Sequence, residues 1–317
     1  MKDHKIVAIV GATGAQGGGL ARAILADPDR GFSVRALTRH PEAPPARALA
    51  AQGADIVAAD LDRAETLADA FAGADAAFCV TNFWEHHSPE RELAQAAAMA
   101  QAAKNAGVAH VIWSTLEDAR LYLPLESGQM PTLMGHYKVP HFDAKGEANA
   151  EFISRNVPVT FLLTSYYWDN FIHFLGMGVA RGPDGVLTVR LPMGDKKLPG
   201  IAAEDIGRCA YGILRAGRRY VGQTVGIAGE HLTGAELAAG LSRALGQKVQ
   251  YTDVPPEVYR TFDFPGATDL SNMFQFKRDF QDLFCGARSV ELSRQLNPDL
   301  QTFDDWLANN KTRIPTG

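Results

Sequence analysis

The sequence lacks the features that mark disulfide-rich, membrane-spanning and nucleic-acid-binding proteins. Its three cysteines, Cys79, Cys209 and Cys285, are too few and too scattered for a disulfide framework or a zinc cluster. No apolar run approaches the ~18 residues that a membrane-spanning helix needs, and the N-terminus has no signal-peptide pattern. The net charge of −5 argues against nucleic acid and anionic membranes as partners. We therefore expect a soluble, cytoplasmic protein with no metal site.

The first half of the chain does have a regular alternation of apolar and Ala-rich segments. This alternation is typical of a doubly wound parallel sheet of the Rossmann type, which binds ligands beyond the carboxyl ends of its strands. The short apolar segments are predicted to be strands: Lys5–Val10, Phe32–Thr38, Ala54–Ala58, Ala76–Val80, Val108–Ser114 and Val157–Thr164. The longer segments are predicted to be helices: Gly14–Ala26, Ala64–Phe71, Pro89–Asn105 and Pro140–Arg155.

The pattern changes after about residue 174, where glycines and prolines become frequent. These segments predict a smaller C-terminal α+β lobe for a substrate or a partner. The expected division is a Rossmann domain at residues 1–174 and the lobe at residues 175–317. This division allows some segments of the second part to pack into the Rossmann core. The lobe is predicted to contain a strand at Leu187–Leu191 and helices at Ala203–Arg215, Gly234–Ala244, Pro256–Thr261, Asp269–Phe276 and Thr302–Asn309.

A glycine-rich turn joins the first predicted strand to the first predicted helix. Its G-x-x-G-x-x-G spacing lets the backbone turn tightly and approach a pyrophosphate, and the helix N-terminus offers free N–H groups and partial positive charge. In this strand–turn–helix context the spacing predicts dinucleotide binding rather than a plain tight turn. The residues of this phosphate loop are Gly11, Ala12, Thr13, Gly14, Ala15, Gln16 and Gly17.

The end of the second predicted strand favours NADP(H) over NAD(H). NAD-binding proteins place an Asp or Glu there for the adenine-ribose hydroxyl, whereas this chain reads Thr38-Arg39-His40. A guanidinium matches a 2′-phosphate and stacks on adenine. The alternative for Arg39 is a surface residue at a strand end. Asp60, after the third strand, is placed to meet the adenine amino group, although a structural Asp in a turn explains it nearly as well.

Six short motifs occur together along the chain. They are GATGAQGG (11–18), TRHP (38–41), VTNFWE (80–85), HFDAKGE (141–147), YYWDNF (166–171) and PGATDLSNMFQF (265–276). Together they resemble the NmrA-like family, an atypical branch of the short-chain dehydrogenases, and are most similar to its animal NADPH-sensor branch. The resemblance covers nearly the whole chain, and VTNFWE and HFDAKGE are its most specific parts.

The resemblance implies a Rossmann domain, a smaller C-terminal lobe and NADP(H) binding. Two departures weaken phosphate binding in principle. The stretch EAPPAR (42–47) replaces the further basic residues that often follow TRxP, and Ala94 stands where the sensor branch has a Lys. Carried over by position, the cofactor contacts besides the phosphate loop are Arg39, Asp60, Leu61, Thr81, Asn82, Phe83, Lys145, Tyr167, Trp168, Asp169 and Asn170.

Short-chain dehydrogenases use a Tyr as proton donor, a Lys that binds the ribose and a strand-end Ser or Thr. This chain has Lys145 and Ser114 or Thr115, but His141 stands at the Tyr position, one helical turn before Lys145 on the same face. Tyr137 is a poor substitute, because it precedes the proline that is predicted to start this helix. The candidate catalytic residues are therefore Lys145, His141 and Ser114.

Each candidate keeps an alternative. His141 is a vestige or gate of the cofactor site, an acid or base, or simple packing at the helix start, and a neighbouring lysine disfavours its charged form. Lys145 is otherwise a surface residue, and Ser114 is otherwise a strand-end hydrogen bond. Aromatic residues after the fourth and sixth strands predict a pocket for a flat apolar ligand, while Asp169 is predicted to cap the helix that it precedes.

Two functions follow from these observations. The first is an NADP(H)-binding sensor or regulator that lacks the usual catalytic Tyr. The alternative is an NADPH-dependent reductase of a flat ketone, quinone or conjugated alkene that uses Lys145 and His141. The expected partners are a small flat apolar ligand or a regulatory protein, with a homodimer as a further expectation.

Overall fold

The structure is a computed structural model that describes residues 4–27, 29, 31–173, 178–182 and 184–316. Its strands are β1 (Lys5–Val10), β2 (Phe32–Thr38), β3 (Asp55–Ala58), β4 (Ala76–Cys79), β5 (His110–Thr115), β6 (Val159–Leu163), β7 (Tyr166–Tyr167), β8 (Val179–Arg181), β9 (Leu187–Leu191), β10 (Lys197–Ile201), β11 (Thr224–Gly226), β12 (Glu230–Thr233) and β13 (Val249–Asp253). Its helices are α1 (Ala15–Ala26), α2 (Pro44–Ala51), α3 (Ala64–Phe71), α4 (Pro89–Asn105), α5 (Pro140–Glu147), α6 (Asn149–Ser154), α7 (Asn170–His173), α8 (Ala203–Arg215), α9 (Gly234–Leu245), α10 (Pro256–Tyr259), α11 (Ala267–Asp279), α12 (Gln281–Gly286), α13 (Val290–Leu296) and α14 (Phe303–Asn310).

The central layer is a parallel sheet with the strand order β11-β6-β5-β4-β1-β2-β3. All six strands predicted in the first half occur in it, within two residues of their predicted bounds. The predicted Rossmann-type fold is therefore confirmed. The chain turns from β1 to β2 on one side and later to β4 on the other, and this reversal leaves a crevice at the carboxyl ends of the strands.

Two segments from the second half of the chain return to this layer. Helix α8 lies against α1, where a Cβ on Gly207 would stand 2.0 Å from the backbone nitrogen of Leu20, so the close approach requires a glycine. Ile206 of α8 is buried in the same apolar core as Val7 of β1, and β11 extends the sheet beyond β6. The predicted border between residues 174 and 175 lies outside the described residues.

The smaller lobe is built from the other segments that follow β6. It contains the sheets β12-β10-β7 and β13-β9-β8 and an apolar core around Trp168, Phe303 and Trp306. Of these strands only β9 is predicted from the sequence. The strands β7, β8 and β12 are two to four residues long, which is too short for a pattern of alternation to be recognised. Within the described part of the chain, no helix is both long and apolar enough to cross a membrane.

The predicted helix over Pro140–Arg155 is wrong in one respect, since it is broken at Ala148 into α5 and α6. The Thr115 hydroxyl donates a hydrogen bond of 2.9 Å to the backbone oxygen of Lys145 and thereby competes with the regular helical bond from residue 149. Gly146 also passes close to another segment, because a Cβ there would stand 2.5 Å from the backbone nitrogen of Asp118. The break follows from this packing and has no local sequence signal.

Candidate functional site

A cavity of about 710 Å³ lies beyond the carboxyl ends of the sheet strands. One part, the dinucleotide end, is lined by residues that follow β1, β2 and β3, including Gly11, Arg39 and Asp60. The other part, the lobe end, is lined by Phe142, Tyr166, Leu270, Met273 and Lys277. The catalytic candidates His141, Lys145 and Ser114 also line this cavity.

The phosphate loop has the geometry that a pyrophosphate requires. Gly11 has a φ of 65°, and a Cβ on Gly17 would stand 2.5 Å from the Gly11 carbonyl oxygen. Gly14 occupies the N-cap of α1 without a side-chain cap, so the N–H groups of the first helical turn are left for an anion. The Gln16 side-chain amide donates a 2.5 Å hydrogen bond to the Tyr167 hydroxyl, which closes one side of the loop. These residues fit a dinucleotide.

Most of the predicted cofactor residues come together at the cavity, but Ala12, Trp168 and Asp169 do not line it. Ala12 is buried in the Rossmann core, and the Trp168 ring packs against Phe303 at 5.3 Å between centroids. Asp169 accepts a 2.8 Å hydrogen bond from the backbone N–H of Ala203, so its side chain caps α8 rather than the following helix. The predicted residues that line the cavity are Gly11, Thr13, Gly14, Ala15, Gln16, Gly17, Arg39, Asp60, Leu61, Thr81, Asn82, Phe83, Lys145, Tyr167 and Asn170.

At the adenosine side of the dinucleotide end, Arg39 already has a partner. Its Nη2 lies 2.8 Å from Glu85 Oε1, and both side chains are nearly half exposed. Asp60 accepts a 3.1 Å hydrogen bond from the backbone N–H of Asp62, which is the structural turn role named above as its alternative. Hydrogen bonds from Arg91 and Gln95 lower the pKa of Asp62 to about 2, so Asp62 is a third acidic residue at this side of the cavity, beside Glu85 and Asp60.

Lys145 is held by a buried carboxylate that the sequence prediction missed. Its Nζ lies 2.6 Å from Oε1 of Glu92, a fully buried residue of α4. Nζ also donates to the hydroxyl and the carbonyl oxygen of Thr81, at 2.6 and 3.1 Å, and the Thr81 hydroxyl donates to Glu92 at 2.5 Å. A usable signal existed, because Glu92 shares the buried face of its helix with Ala96 and Met99.

His86 stands behind this carboxylate. Its Nδ1 accepts a 3.1 Å hydrogen bond from the backbone N–H of Ser88, so the ring proton of the neutral form is on Nε2, which lies 3.5 Å from Glu92 Oε2. Burial lowers the pKa of His86, which favours this neutral form. The Glu92 carboxylate therefore faces Lys145 with one oxygen and an imidazole N–H with the other.

His141 forms a buried pair with Asp269 of α11. Its Nδ1 lies 2.6 Å from Asp269 Oδ1, and its backbone N–H donates to Oδ2 at 3.2 Å. The His141 ring packs against Trp84 at 4.8 Å between centroids. An ionised Asp269 makes Nδ1 the protonated nitrogen, and Nε2 is then the ring nitrogen available to a ligand in the cavity.

The remaining catalytic candidates differ in whether their side chains are available at the cavity. Ser114 is buried at the end of β5 and lines the cavity, whereas the Thr115 hydroxyl is bonded to α5 and to Asn149. Tyr137 is not among the lining residues, and its ring packs under the Arg120 guanidinium at 5.2 Å. Of His141 and Tyr137, the two residues considered for the role of the Tyr, His141 is therefore the one that lines the cavity beside Lys145. In the described ranges, no cluster of three or more metal-binding side chains occurs.

The strand order, the glycine loop and the crevice cavity define a protein of the Rossmann dinucleotide-binding class. Residues 3–307 match the NmrA-like family, and the chain belongs to this family, as the sequence motifs predict. The NmrA-like family domain-containing oxidoreductase FrzB from Cladobotryum sp is 30% identical over an alignment of 290 residues that covers 86% of this chain and 83% of FrzB. The corresponding oxidoreductase ptmS from Penicillium ochrochloron is 26% identical over 346 residues, covering 97% of this chain and 98% of ptmS.

Two solved structures place the fold. The crystal structure of NmrA, a negative transcriptional regulator, in complex with NADP has a TM-score of 0.79 at 25% identity, and the match covers 96% of this chain and 94% of that chain. The triphenylmethane reductase of Citrobacter sp., complexed with NADP(H), has a TM-score of 0.73 at 20% identity, covering 96% of this chain and 99% of that chain. This second likeness concerns the fold alone.

Proposed function

We propose that the protein is an NADP(H)-dependent oxidoreductase that reduces a flat carbonyl or conjugated compound, with His141 as proton donor. The observation that carries the proposal is the His141–Asp269 pair on the cavity wall, with 2.6 Å between Nδ1 and Oδ1. A carboxylate that holds one imidazole nitrogen orients the other for proton transfer, and helix packing alone does not require it. The oxidoreductase names of FrzB and ptmS support this choice.

The cofactor in this proposal is NADP(H). The open N–H groups at the start of α1 bind the pyrophosphate, and the Arg39 guanidinium binds the 2′-phosphate. Lys145, which Glu92 and Thr81 hold at the cavity wall, binds the nicotinamide ribose. NADPH supplies the hydride when it is bound. The NADP complex of NmrA, which is 25% identical, supports the assignment.

His141 and Ser114 handle the substrate oxygen. Protonated His141 donates its Nε2 proton to that oxygen during reduction, while Asp269 keeps the ring in place and Nδ1 protonated. The Ser114 hydroxyl, buried at the end of β5, donates a hydrogen bond to the same oxygen. Trp84 and Phe142 pack against the imidazole, and these aromatic walls exclude water and favour a flat ligand.

A second candidate function is a cofactor sensor or regulator, and one observation favours it. Both cations predicted to meet the cofactor are paired with carboxylates of the chain, Lys145 with Glu92 and Arg39 with Glu85. Binding of NADP(H) would compete with these pairs, and the Arg39–Glu85 pair is exposed. If the Arg39–Glu85 pair opens when NADP(H) binds, the exposed surface around it changes with the cofactor state. A partner protein or a second copy of the chain would recognise that change.

Reduction assays on purified protein distinguish the two functions. NADPH oxidation is followed at 340 nm with quinones, enones and aromatic ketones for wild type, Asp269→Asn, His141→Phe and the control His136→Gln, an exposed histidine outside the cavity. We expect the turnover of Asp269→Asn and His141→Phe to fall by about 100-fold or more, which is the size of contribution that general acid catalysis makes. The control should match wild type, and the affinity for NADPH, measured by calorimetry, should hold in all four proteins.

Two outcomes would contradict the reductase proposal. If Asp269→Asn and His141→Phe both turned over as fast as wild type, His141 would not be the proton donor. No turnover with any compound, together with a change in sedimentation coefficient on adding NADPH, would favour the sensor. Sedimentation is therefore measured on the same preparations with and without cofactor.

A further inference from the structure

Helix α11 presents one face to the cavity. Leu270, Met273 and Lys277 line it, and their spacing of three and four residues places them on the same side of a helix. Asp269, which holds His141, is on the same helix. The lobe end of the cavity is thus a largely apolar wall with a lysine about 12 Å along the helix axis from Asp269.

Lys277 is a buried cation that ring faces surround. Its residue surface is 3% exposed, and its Nζ lies 5.5, 5.6 and 5.2 Å from the ring centres of Phe142, Phe274 and Phe284. Among the described residues, no carboxylate forms an ion pair with it. Burial, reinforced by the positive charge of Arg288, lowers the pKa of Lys277 to about 7, against a smaller opposing effect of Glu117.

The nearby carboxylate is committed elsewhere. Glu117 binds Arg288 through both of its oxygens, at 2.5 and 2.9 Å, and the Arg288 guanidinium lies 3.5 Å over the Phe284 ring. Ring faces stabilise a cation only in part, and a buried charge without a counter-ion is costly. A lysine with these surroundings, on the wall of a ligand cavity, has the properties of a residue whose counter-ion arrives with the ligand.

We propose that Lys277 anchors an anionic oxygen of the substrate, so that the substrate is a flat aromatic or conjugated acid. The inference rests on the proposed function in that the same cavity holds the substrate. Lys277 and His141 both contact the Phe142 ring. A ligand anchored at Lys277 therefore extends along Leu270 and Met273 toward the proton donor, and the anion selects which end of the ligand reaches His141.

Equilibrium binding tests this without any turnover. Calorimetry measures 2-naphthoate and its neutral analogue 2-naphthamide against wild type, Lys277→Met and Lys248→Met, with NADP⁺ present to occupy the phosphate loop. Lys248 is an exposed lysine and serves as the matched control. We expect wild type and Lys248→Met to bind naphthoate at least about ten-fold more tightly than naphthamide, as one charge-assisted contact provides. Lys277→Met should lose that preference and keep its affinity for naphthamide.

Several results would overturn the proposal. They are equal binding of the two probes by wild type, an intact preference in Lys277→Met, and binding of naphthoate to wild type without cofactor that is lost in a second titration with NADP⁺ present. Thermal unfolding checks that the variant is folded, and if it is not, Lys277→Gln and the preference of wild type decide. The binding assay does not depend on reduction. If wild type prefers naphthoate, Lys277→Met loses that preference, and no compound is reduced by NADPH, then the Lys277 site is supported and only the reductase proposal fails.

Discussion

The two ends of the cavity differ in how their charges are balanced. At the dinucleotide end, Arg39 pairs with Glu85 and Arg91 pairs with Asp62, and Lys145 pairs with the buried Glu92 between the two ends. At the lobe end, Lys277 faces aromatic rings instead of a carboxylate. A ligand at the first end has to compete with carboxylates of the protein, whereas a ligand at the second end can supply the missing charge.

This contrast assigns different tasks to the two ends. The dinucleotide end depends on backbone geometry, with free N–H groups and crowded glycines, and its ion pairs hold the surrounding side chains in place. The lobe end depends on side chains from a helix far along the chain. Under the proposed function, the first end binds the cofactor and the second end selects the substrate. The following variants test the contrast in order of expected effect.

The largest effect is expected from Glu92→Gln, which removes the counter-ion of Lys145. Glu92 is fully buried and Lys145 nearly so, so the variant leaves a buried ammonium unpaired. We expect the free energy of unfolding in urea to fall by about 3 kcal/mol. The double variant Glu92→Gln/Lys145→Met should recover much of that loss.

Glu90→Gln is the control, because Glu90 is an exposed acid in the first turn of the same helix. It should unfold like wild type. Equal stability of Glu92→Gln and Glu90→Gln would mean that Glu92 does not stabilise the buried charge of Lys145. The contrast between the two ends of the cavity would then be wrong.

Gly17→Ala tests the backbone character of the dinucleotide end. The added Cβ would stand 2.5 and 2.7 Å from the carbonyl oxygens of Gly11 and Val10, and neither backbone group can yield without moving the loop. We expect the affinity for NADPH, measured by calorimetry, to fall by about 100-fold. Gly286→Ala, where a Cβ meets nothing within 4 Å, should bind as wild type does. A Gly17→Ala variant with wild-type affinity would show that the loop does not approach the pyrophosphate.

The lobe end should reveal its unbalanced charge through pH. The pKa of Lys277 falls from 10.5 in the unfolded chain to about 7 in the folded protein. Below pH 7 both states are protonated and the whole penalty of burying the charge is present. Between pH 7 and 10.5 the unfolded chain holds the extra proton, so the free energy of unfolding rises with pH. From pH 7 to pH 9, wild type should therefore gain about 2 kcal/mol relative to Lys277→Met.

The measurement is urea unfolding of wild type, Lys277→Met and Lys248→Met at the two pH values. The comparison with Lys277→Met cancels the titration of other groups that both proteins share, including those near Arg288 and Glu117. Lys248→Met should track wild type at both pH values. A constant difference between wild type and Lys277→Met would mean that the lysine is not a poorly compensated cation.

The same contrast explains what could be predicted from the sequence. The strand, the glycine loop and the start of α1 lie within one short segment, so their spacing predicts the phosphate loop, while the alternation of strands and helices over the first half predicts the fold. The positions of His141 and Lys145 on neighbouring turns of one helix also follow from a short stretch of sequence. The dinucleotide end could be predicted because its geometry depends on residues that are close together in the chain.

The lobe end has no such local signal. The partner of His141 lies 128 residues away, and Asp269 looks in the sequence like any acid in the first turn of a helix. Lys277 is followed by Arg278 and Asp279, and nothing in this charged run indicates that Lys277 is buried. Trp168 and Asp169 show the converse, since they adjoin a cavity residue in sequence but their side chains are used for packing and capping. Tertiary packing, which spacing does not encode, decides each of these cases.

Arg39→Ala tests whether the dinucleotide end chooses its cofactor through one guanidinium. We expect the affinity for NADPH to fall by about ten-fold and that for NADH to change by less than about two-fold, because only NADPH carries the 2′-phosphate. Arg47→Ala is the control, since Arg47 is an exposed arginine paired with Glu42 outside the cavity lining. An unchanged ratio of the two affinities would refute the assignment of Arg39.

Glu85→Gln should have the smallest effect and the opposite sign. Glu85 accepts a hydrogen bond from Arg39 at 2.8 Å, and both side chains are nearly half exposed, so the pair itself contributes less than about 1 kcal/mol to stability. Removing the carboxylate frees the guanidinium and takes a negative charge away from the 2′-phosphate, so NADPH should bind about three-fold more tightly. The gain should shrink at high salt, and the affinity for NADH should stay constant. Tighter binding of both cofactors would instead mean that Glu85 acts on the shared part of the dinucleotide, and weaker NADPH binding would mean that Glu85 positions Arg39 rather than competing for it.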